Sequence, residues 1–216
     1  PISWEVEHDW NGFIAARAYS SWKVQFLLSR IQSILKARTW INGTLTMYRA
    51  SILDEVVRDE PLFMTEDTDW LWQIHREKKG AIKHNSKARA HLQEPQTFKA
   101  LYKQHLRWNW GMFQVARKHR LGTKISRPDL MWLIITALAA HYILMPIYAI
   151  VTFSFLSGGV MTGPAWFIGR YVLSATMSAI IYRRWQHLFL WPFFIAYDLN
   201  WRVAIVHGFF KSIKHP

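Results

Sequence analysis

One stretch of this sequence, residues 130–169, contains no Asp, Glu, Lys or Arg. Its most apolar part runs over residues 130–157, and about 20 apolar residues are enough for a helix to cross a bilayer. A buried helix of a soluble protein rarely stays uncharged for so long, so this stretch predicts a membrane span. Within it, His141 is interpreted as a residue that faces other helices, and Pro146 predicts a kink.

Two further apolar segments follow the first. Residues 165–182 predict a second span, in which Arg170 is close enough to the preceding loop to extend its charge toward the membrane surface. Residues 188–210 form the third segment, which is compatible with a full span, a re-entrant hairpin or an interfacial helix. The polar residues in this third segment are Pro192, Asp198, Asn200 and Arg202.

Charge divides the chain into two parts. Residues 1–127 hold 21 of the 27 Lys and Arg and 12 of the 14 Asp and Glu. We therefore predict a polar domain over 1–127 and a transmembrane region over 128–216. The positive-inside rule places the polar domain in the cytosol, with Arg183 and Arg184 on the same side. This predicts an integral protein of the plasma or inner membrane.

Composition excludes several classes of site and partner. The chain has no cysteine, which rules out a disulfide framework, a thiolate nucleophile and a cysteine-bound zinc site. A net charge of +13 would by itself allow nucleic-acid binding. However, the basic and aromatic residues 97–120 directly precede the first predicted span, as in helices that lie on an anionic membrane surface. We expect contact with membrane lipids and not with nucleic acid.

The polar domain shows both helical and strand-like patterns. Apolar residues recur at helical spacing over 13–37, and residues 67–79 and 97–120 also indicate helices. Residues 45–48 and 81–83 indicate short strands. This mixture predicts an α/β fold for the polar domain.

Three short motifs stand in order along the polar domain. The first lies at residues 40–44, the second is the TED motif at 65–67, and the third is the QxxRW motif at 104–108. Their side chains suit sugar transfer, since a carboxylate can take the proton of an attacking hydroxyl. Arginine neutralises a diphosphate leaving group, and an indole ring stacks on the C–H face of a sugar.

Each motif also has an ordinary structural explanation. Residues 65–69 could simply begin a helix, with Thr65 as N-cap and its acidic neighbours near the positive end of the helix dipole. Arg107 and Trp108 could be anchors at a membrane interface. The order of the motifs ahead of paired apolar segments favours the catalytic interpretation.

The segment from the TED motif to Gly111 resembles the membrane-bound family 2 glycosyltransferases, which include cellulose, chitin, hyaluronan and poly-N-acetylglucosamine synthases. The resemblance extends from about Trp40 to the last apolar segment. It implies an α/β half-domain of the glycosyltransferase-A type, followed by an α-helical transmembrane region. Residues 97–127 would include the helix that lies at the membrane interface.

The resemblance also implies roles for individual residues in an inverting transfer from a nucleotide-diphosphate donor, expected to be a UDP-sugar. The acceptor would be a growing polysaccharide or a lipid at the cytosolic membrane face. Asp67 would be the general base, in a turn shaped by Thr65 and Glu66. Donor diphosphate and acceptor sugar would be bound by Gln104, Arg107 and Trp108, and the acceptor site would be lined by Asn42, Gly43 and Thr44.

The sequence departs from this family in its donor half. The family's early strands, and the DxD motif that holds Mg or Mn on the donor, are not found here. Asp67 and Asp69 have the DxD spacing, but Asp67 occupies the position of the base. We therefore expect the metal ligands and the donor half outside this chain, in a longer protein or a partner polypeptide. The alternative is a non-catalytic membrane scaffold or accessory subunit of a polysaccharide synthase.

Overall fold

The structure, a computed structural model, describes residues 11–41, 43–57, 64–85, 87–88, 95–156 and 162–215. The first helix, α1 (Gly12–Trp22), continues without a break through a π-helical segment (Lys23–Leu28) into α2 (Ser29–Ile34). The later helices are α3 (Ala50–Val56), α4 (Glu66–Glu77), α5 (Phe98–Lys118), α6 (Arg127–Leu156), α7 (Thr162–Tyr182) and α8 (Trp191–Lys214). Two 3-10 segments lie at Gly43–Leu45 and Trp185–Leu190.

The predicted α/β half-domain is wrong, because the described residues contain helices and no strand. The segment at 45–48, predicted as a strand, starts inside a 3-10 turn, and Met47 is almost fully exposed. At 81–83 the chain is irregular, although Ile82 packs against the core of the polar part. A strand requires a second strand to pair its main-chain groups, and the described residues supply none beside either segment.

The predicted helices of the polar part are confirmed, and two of them begin at a side-chain cap. The side chain of Asn11 accepts a hydrogen bond from the main-chain N–H of Ile14 at the start of α1, at 2.9 Å. Thr97 does the same for the N–H of Ala100 at the start of α5, at 3.2 Å. Such caps satisfy main-chain donors that the first turn of a helix leaves without a partner.

One helix of the described part of the chain is long and apolar enough to cross a membrane. This is α6, whose 30 residues correspond to a length of about 45 Å. Helix α7 covers the predicted second span, but by length and composition it is not a candidate, since Arg170 lowers its apolar character. The third apolar segment is the unbroken helix α8 and not a hairpin.

Polar residues of α8 compensate for the proline of α6. Pro146 has no N–H, so the carbonyl of Tyr142 loses its helical donor. The guanidinium of Arg202 donates to that carbonyl, and also to the carbonyl of Ile143 at 3.2 Å. Asp198 accepts a hydrogen bond from Arg202 at 2.9 Å. Asp198 and Arg202 thus have partners on α6 and along α8 itself.

The polar part is fixed at the start of α6 by a buried ion pair. Arg76, near the end of α4, donates two hydrogen bonds of 2.6 and 2.8 Å to the carboxylate of Asp129. Asp129 is fully buried in the first turn of α6, and it also accepts from the N–H of Gly122. Arg76 reaches the main-chain oxygen of His119 as well. Helix α4, which begins at the TED motif, is therefore anchored to the foot of α6.

The helices enclose two apolar clusters. In one, Ala15 and Ala16 of α1 pack against α7 and α8. In the other, Trp72 of α4 packs with Val115 of α5 and with Trp132 of α6. The predicted division into a polar domain that ends at residue 127 and a transmembrane region that begins at residue 128 stays a prediction.

Candidate active site

The carboxylate of Asp67 is held in place by two main-chain N–H groups. Gly43 donates to Oδ2 at 2.7 Å, and Thr68 donates to Oδ1 at 2.7 Å. A carboxylate has about four acceptor positions, so these bonds leave capacity for a further donor. Asp67 is partly exposed. The group is therefore oriented by the main chain and can be reached by a substrate hydroxyl.

The environment of Asp67 favours its protonated form more than water does. Burial raises the pKa of its carboxyl above the ordinary value, and the nearby charge of Glu66 raises it further. The hydrogen bonds from Thr68 and Gly43 lower this pKa, but not enough to cancel the rise. A general base works best when its pKa lies near the pH at which the enzyme operates. The direction of the shift therefore suits a base.

Thr65 does not cap α4 with its side chain. Its Oγ1 atom is buried and has no hydrogen-bond partner among the described residues. Instead, Thr65 packs against Gly111 of α5: a Cβ atom at Gly111 would lie 2.7 Å from Oγ1 and 3.0 Å from the main-chain nitrogen of Thr65. Only a glycine allows this approach. The helix-cap explanation of Thr65 is thus not supported, and the TED motif lies directly on α5.

Gly111 shares one face of α5 with the QxxRW motif. Residues four and seven positions apart lie on the same side of a helix, so Gln104, Trp108 and Gly111 form a single stripe. Thr65 contacts that stripe at Gly111, so the TED motif packs against the face of α5 that also carries Gln104 and Trp108, three residues beyond the end of the QxxRW motif.

A residue that the sequence did not predict joins this face. Arg17 of α1 is 3% exposed, and its Nη1 donates to Oε1 of Gln104 at 2.6 Å. Its guanidinium carbon lies 5.1 Å from the centre of the Trp108 ring. The available signal was an arginine within the apolar run Ile14–Ala18 of a predicted helix, which indicates a buried charge with a specific role.

His105, within the QxxRW motif, fixes α5 to α8. The residue is fully buried, and its Nδ1 atom lies 2.8 Å from Oδ1 of Asn200. Its ring meets the ring of Trp201 edge to face, with centres 4.3 Å apart. Burial lowers the pKa of His105 to about 3, so the imidazole is neutral and Nδ1–H donates to Asn200. His105 therefore positions α5.

Asp69 has a structural role. It accepts hydrogen bonds from His119 at 2.6 Å and from Lys118 at 3.0 Å, which join the start of α4 to the end of α5. Burial alone would raise the pKa of Asp69, but these two partners bring it below the ordinary value. Asp69 is therefore ionised and engaged with these two partners.

Tyr48 is a second neighbour of the acidic turn that the sequence did not single out as a site residue. Its ring packs edge to face against Trp70, with centres 5.8 Å apart. Burial raises the pKa of its hydroxyl, and the charges of Asp67 and Glu66 raise it further. Tyr48 is therefore a neutral group beside the carboxylates.

The remaining predicted residues are less constrained. Glu66, Arg107 and Thr44 are exposed, and Asn42 lies outside the described residues. In the part of the chain that the structure describes, no three His, Asp or Glu side chains come together to hold a metal ion. The Mg or Mn that the resemblance implies stays a prediction.

Comparison with known proteins gives one match, which covers nearly the whole chain. Residues 3–197 match the family model described as glycosyl transferase family group 2. No curated protein and no solved structure matches.

Proposed function

Because this chain belongs to glycosyl transferase family group 2, we propose that it transfers a sugar from a nucleotide-diphosphate donor, a UDP-sugar, to a polysaccharide or lipid acceptor. The observation that carries this proposal is the contact between Thr65 and Gly111, which brings the TED motif onto the QxxRW face of α5. In this proposal, a base and the groups suited to a leaving diphosphate face one site.

Asp67 acts as the general base in this proposal. The acceptor hydroxyl donates its hydrogen bond to a carboxylate oxygen of Asp67, and the proton passes to that oxygen as the acceptor oxygen attacks the anomeric carbon. The bond between that carbon and the diphosphate oxygen breaks on the opposite side. The sugar is transferred with inversion, and the nucleotide diphosphate leaves with the bonding electrons.

The side chains of α5 stabilise the leaving diphosphate and hold the sugar. Arg107 is exposed on α5 and carries a permanent positive charge with several N–H donors. Gln104 adds amide donors, and the partly exposed ring of Trp108 offers an apolar surface to the sugar. Donors placed where negative charge develops contribute more to the transition state than to the ground state.

We place the donor-binding half and its Mg or Mn outside the described residues, in further sequence or in a partner polypeptide. Such an ion would neutralise the donor diphosphate. No step of the mechanism above depends on it, because the described residues supply no ligand set.

We place the reaction at the cytosolic face of a membrane that α6 crosses. In support, only 6% of the apolar window of α6 is buried within the protein, so its surface is available to lipid. Its foot is fixed to α4 through Arg76 and Asp129. The active turn at the start of α4 would therefore lie at a set distance from the membrane.

The experiment that tests this function is nucleotide release in native membranes that contain the full-length protein. The donors are UDP-glucose, UDP-N-acetylglucosamine, UDP-glucuronate and GDP-mannose, and each is compared with the Asp67→Asn variant. Release with one UDP-sugar that the variant loses would support the proposal and identify the sugar. If none of the donors gives nucleotide release that depends on Asp67, the proposal is overturned and a scaffold role is favoured.

A further inference from the structure

One buried cation contacts both substrate-binding side chains of the QxxRW stripe. Arg17 donates to Gln104 at 2.6 Å and lies 5.1 Å from the ring centre of Trp108. It belongs to α1, 87 positions before Gln104 in the sequence. Burying a guanidinium is costly unless polar groups receive its hydrogen bonds. A buried charge on the apolar side of α1 is therefore unusual, and it indicates a specific role for Arg17.

Arg17 determines which way the amide of Gln104 points. A guanidinium has N–H donors and no acceptor, so the amide oxygen of Gln104 must face Arg17. The NH₂ group of Gln104 then points away from Arg17, and its two N–H donors can meet oxygen atoms of a ligand. The positive charge of Arg17 beside the amide oxygen also polarises the amide and strengthens these donors.

Arg17 also occupies one face of the Trp108 indole. A cation above an aromatic ring is attracted to the negative face of its π-system. This contact restricts the ring, whose centre also lies 6.1 Å from that of His105 and 6.3 Å from that of Trp201. Trp108 is partly exposed, whereas Arg17 is buried. A sugar ring would therefore meet the part of the Trp108 indole that its protein neighbours leave exposed.

We propose that Arg17 is a positioning residue for sugar transfer: it holds Gln104 as a hydrogen-bond donor toward phosphate or sugar oxygens and holds Trp108 as a stacking surface for the sugar. The inference rests on the proposed function of this same site. It assigns the amide of Gln104 a single orientation, in which its two N–H donors face acceptor oxygens of the ligand.

Three variants separate positioning from simple packing. Arg17→Met keeps the apolar stem of the side chain and removes its N–H donors. Arg17→Lys keeps a charged donor. Gln104→Glu keeps an acceptor for Arg17, and forms an ion pair with it, but removes the two N–H donors that would face the ligand. Helix α1 and its contacts should remain intact in the last variant, which makes it the matched control for folding.

The measurement is the KM for the nucleotide sugar and kcat, in native membranes with the full-length protein, together with the melting temperature. We expect Arg17→Met and Gln104→Glu each to raise the donor KM about tenfold, the equivalent of one hydrogen bond, with a smaller change in kcat. Arg17→Lys should recover most of the loss. The melting temperature of Gln104→Glu should equal or exceed that of the wild type.

Several results would overturn the inference. An unchanged donor KM in Arg17→Met, with only a lower melting temperature, would reduce Arg17 to packing. Wild-type KM in Gln104→Glu would show that the amide donors are not used. If the wild-type protein releases nucleotide in a manner that depends on Asp67, either result overturns the role of Arg17 alone. If it does not, the proposed function itself fails, and the role of Arg17 fails with it.

Discussion

The main-chain N–H of Gly43 donates a hydrogen bond of 2.7 Å to Oδ2 of Asp67, across 24 positions of sequence. The bond joins the first and second sequence motifs at a single carboxylate. A Cβ atom at residue 43 would lie 3.0 Å from the same oxygen, so a larger residue would crowd the proposed base. The residue proposed for the acceptor site and the proposed base are thus joined directly.

The first prediction concerns the pH dependence of transfer. Because the pKa of Asp67 is raised, the acid limb of kcat/KM should lie at higher pH than for an ordinary aspartate. Glu66→Gln removes one nearby negative charge and should move that limb to lower pH, by less than about one unit since Glu66 is exposed. A pH–rate profile of both proteins tests this, and an unshifted limb would argue against Asp67 as the titrating group.

The same shift has a consequence for stability, with a definite sign. The folded-state pKa of Asp67 lies above the unfolded value, so between these values the folded protein binds the proton more tightly. The contribution of Asp67 to the free energy of unfolding is therefore largest at low pH and decreases as pH rises through this interval. Denaturant unfolding of wild type and Asp67→Asn at several pH values would reveal it. An Asp67 contribution that grows with pH would contradict the burial argument.

A pair of glycine variants tests the contact between the TED motif and α5. In Gly111→Ala the new methyl group would meet Oγ1 of Thr65 at 2.7 Å, so the turn must move and transfer should fall at least tenfold. Gly169→Ala is the matched control, because nothing lies within 4 Å of a Cβ atom there. It should keep wild-type activity and gain about 0.5–1 kcal/mol in helix stability. Equal activities in the two variants would show that the contact does not matter for transfer.

The buried ion pairs of Asp69 should affect stability and not chemistry. Asp69→Asn weakens the hydrogen bonds from His119 and Lys118 that join α4 to α5. We expect a loss of about 1–3 kcal/mol in the free energy of unfolding. The same two partners lower the pKa of Asp69. The stability that Asp69 provides should therefore also be lost as pH falls through that lowered pKa. Unfolding curves that coincide for both proteins would contradict this role.

The contact between Arg202 and the Tyr142 carbonyl, which Pro146 leaves without a helical donor, can be measured by a double-mutant cycle. Arg202→Met leaves the Tyr142 carbonyl without a donor and should cost about 1–3 kcal/mol. Pro146→Ala restores an N–H at residue 146, which can bond that carbonyl within the helix. In this background the loss from Arg202→Met should be smaller by about 1 kcal/mol. Equal losses in detergent-solubilised protein in both backgrounds would mean that Arg202 does not compensate for Pro146.

Sequence patterns predicted the helices better than the class of fold. The long periodic segments at 13–37 and 97–120 are helices, because helical spacing reports a property that lies within the segment itself. The short segments at 45–48 and 81–83 were wrongly predicted as strands, because a strand exists only where distant residues pair with it. The α/β interpretation depended on these segments and on the family resemblance.

The candidate residues were named from the sequence and their roles stay predictions, whereas the contacts among them could not be predicted. Asp67 and the QxxRW motif were identified from their chemistry and order along the chain. Arg17 was missed because its partner lies 87 positions away, and no local pattern encodes such a contact. Gly111 gave a usable signal, since a glycine inside a helix indicates close approach of another chain segment.

The most direct test of the account compares two aspartates on the same helix. Nucleotide release would be measured in native membranes for Asp67→Asn and Asp69→Asn, each normalised to the amount of folded protein. We predict that Asp67→Asn loses about 10²–10⁴-fold in kcat, the usual contribution of a general base, while Asp69→Asn stays within about tenfold of wild type, as expected for a residue that acts through packing and ion pairs. Activity of Asp67→Asn within about tenfold of wild type would contradict its role as the base.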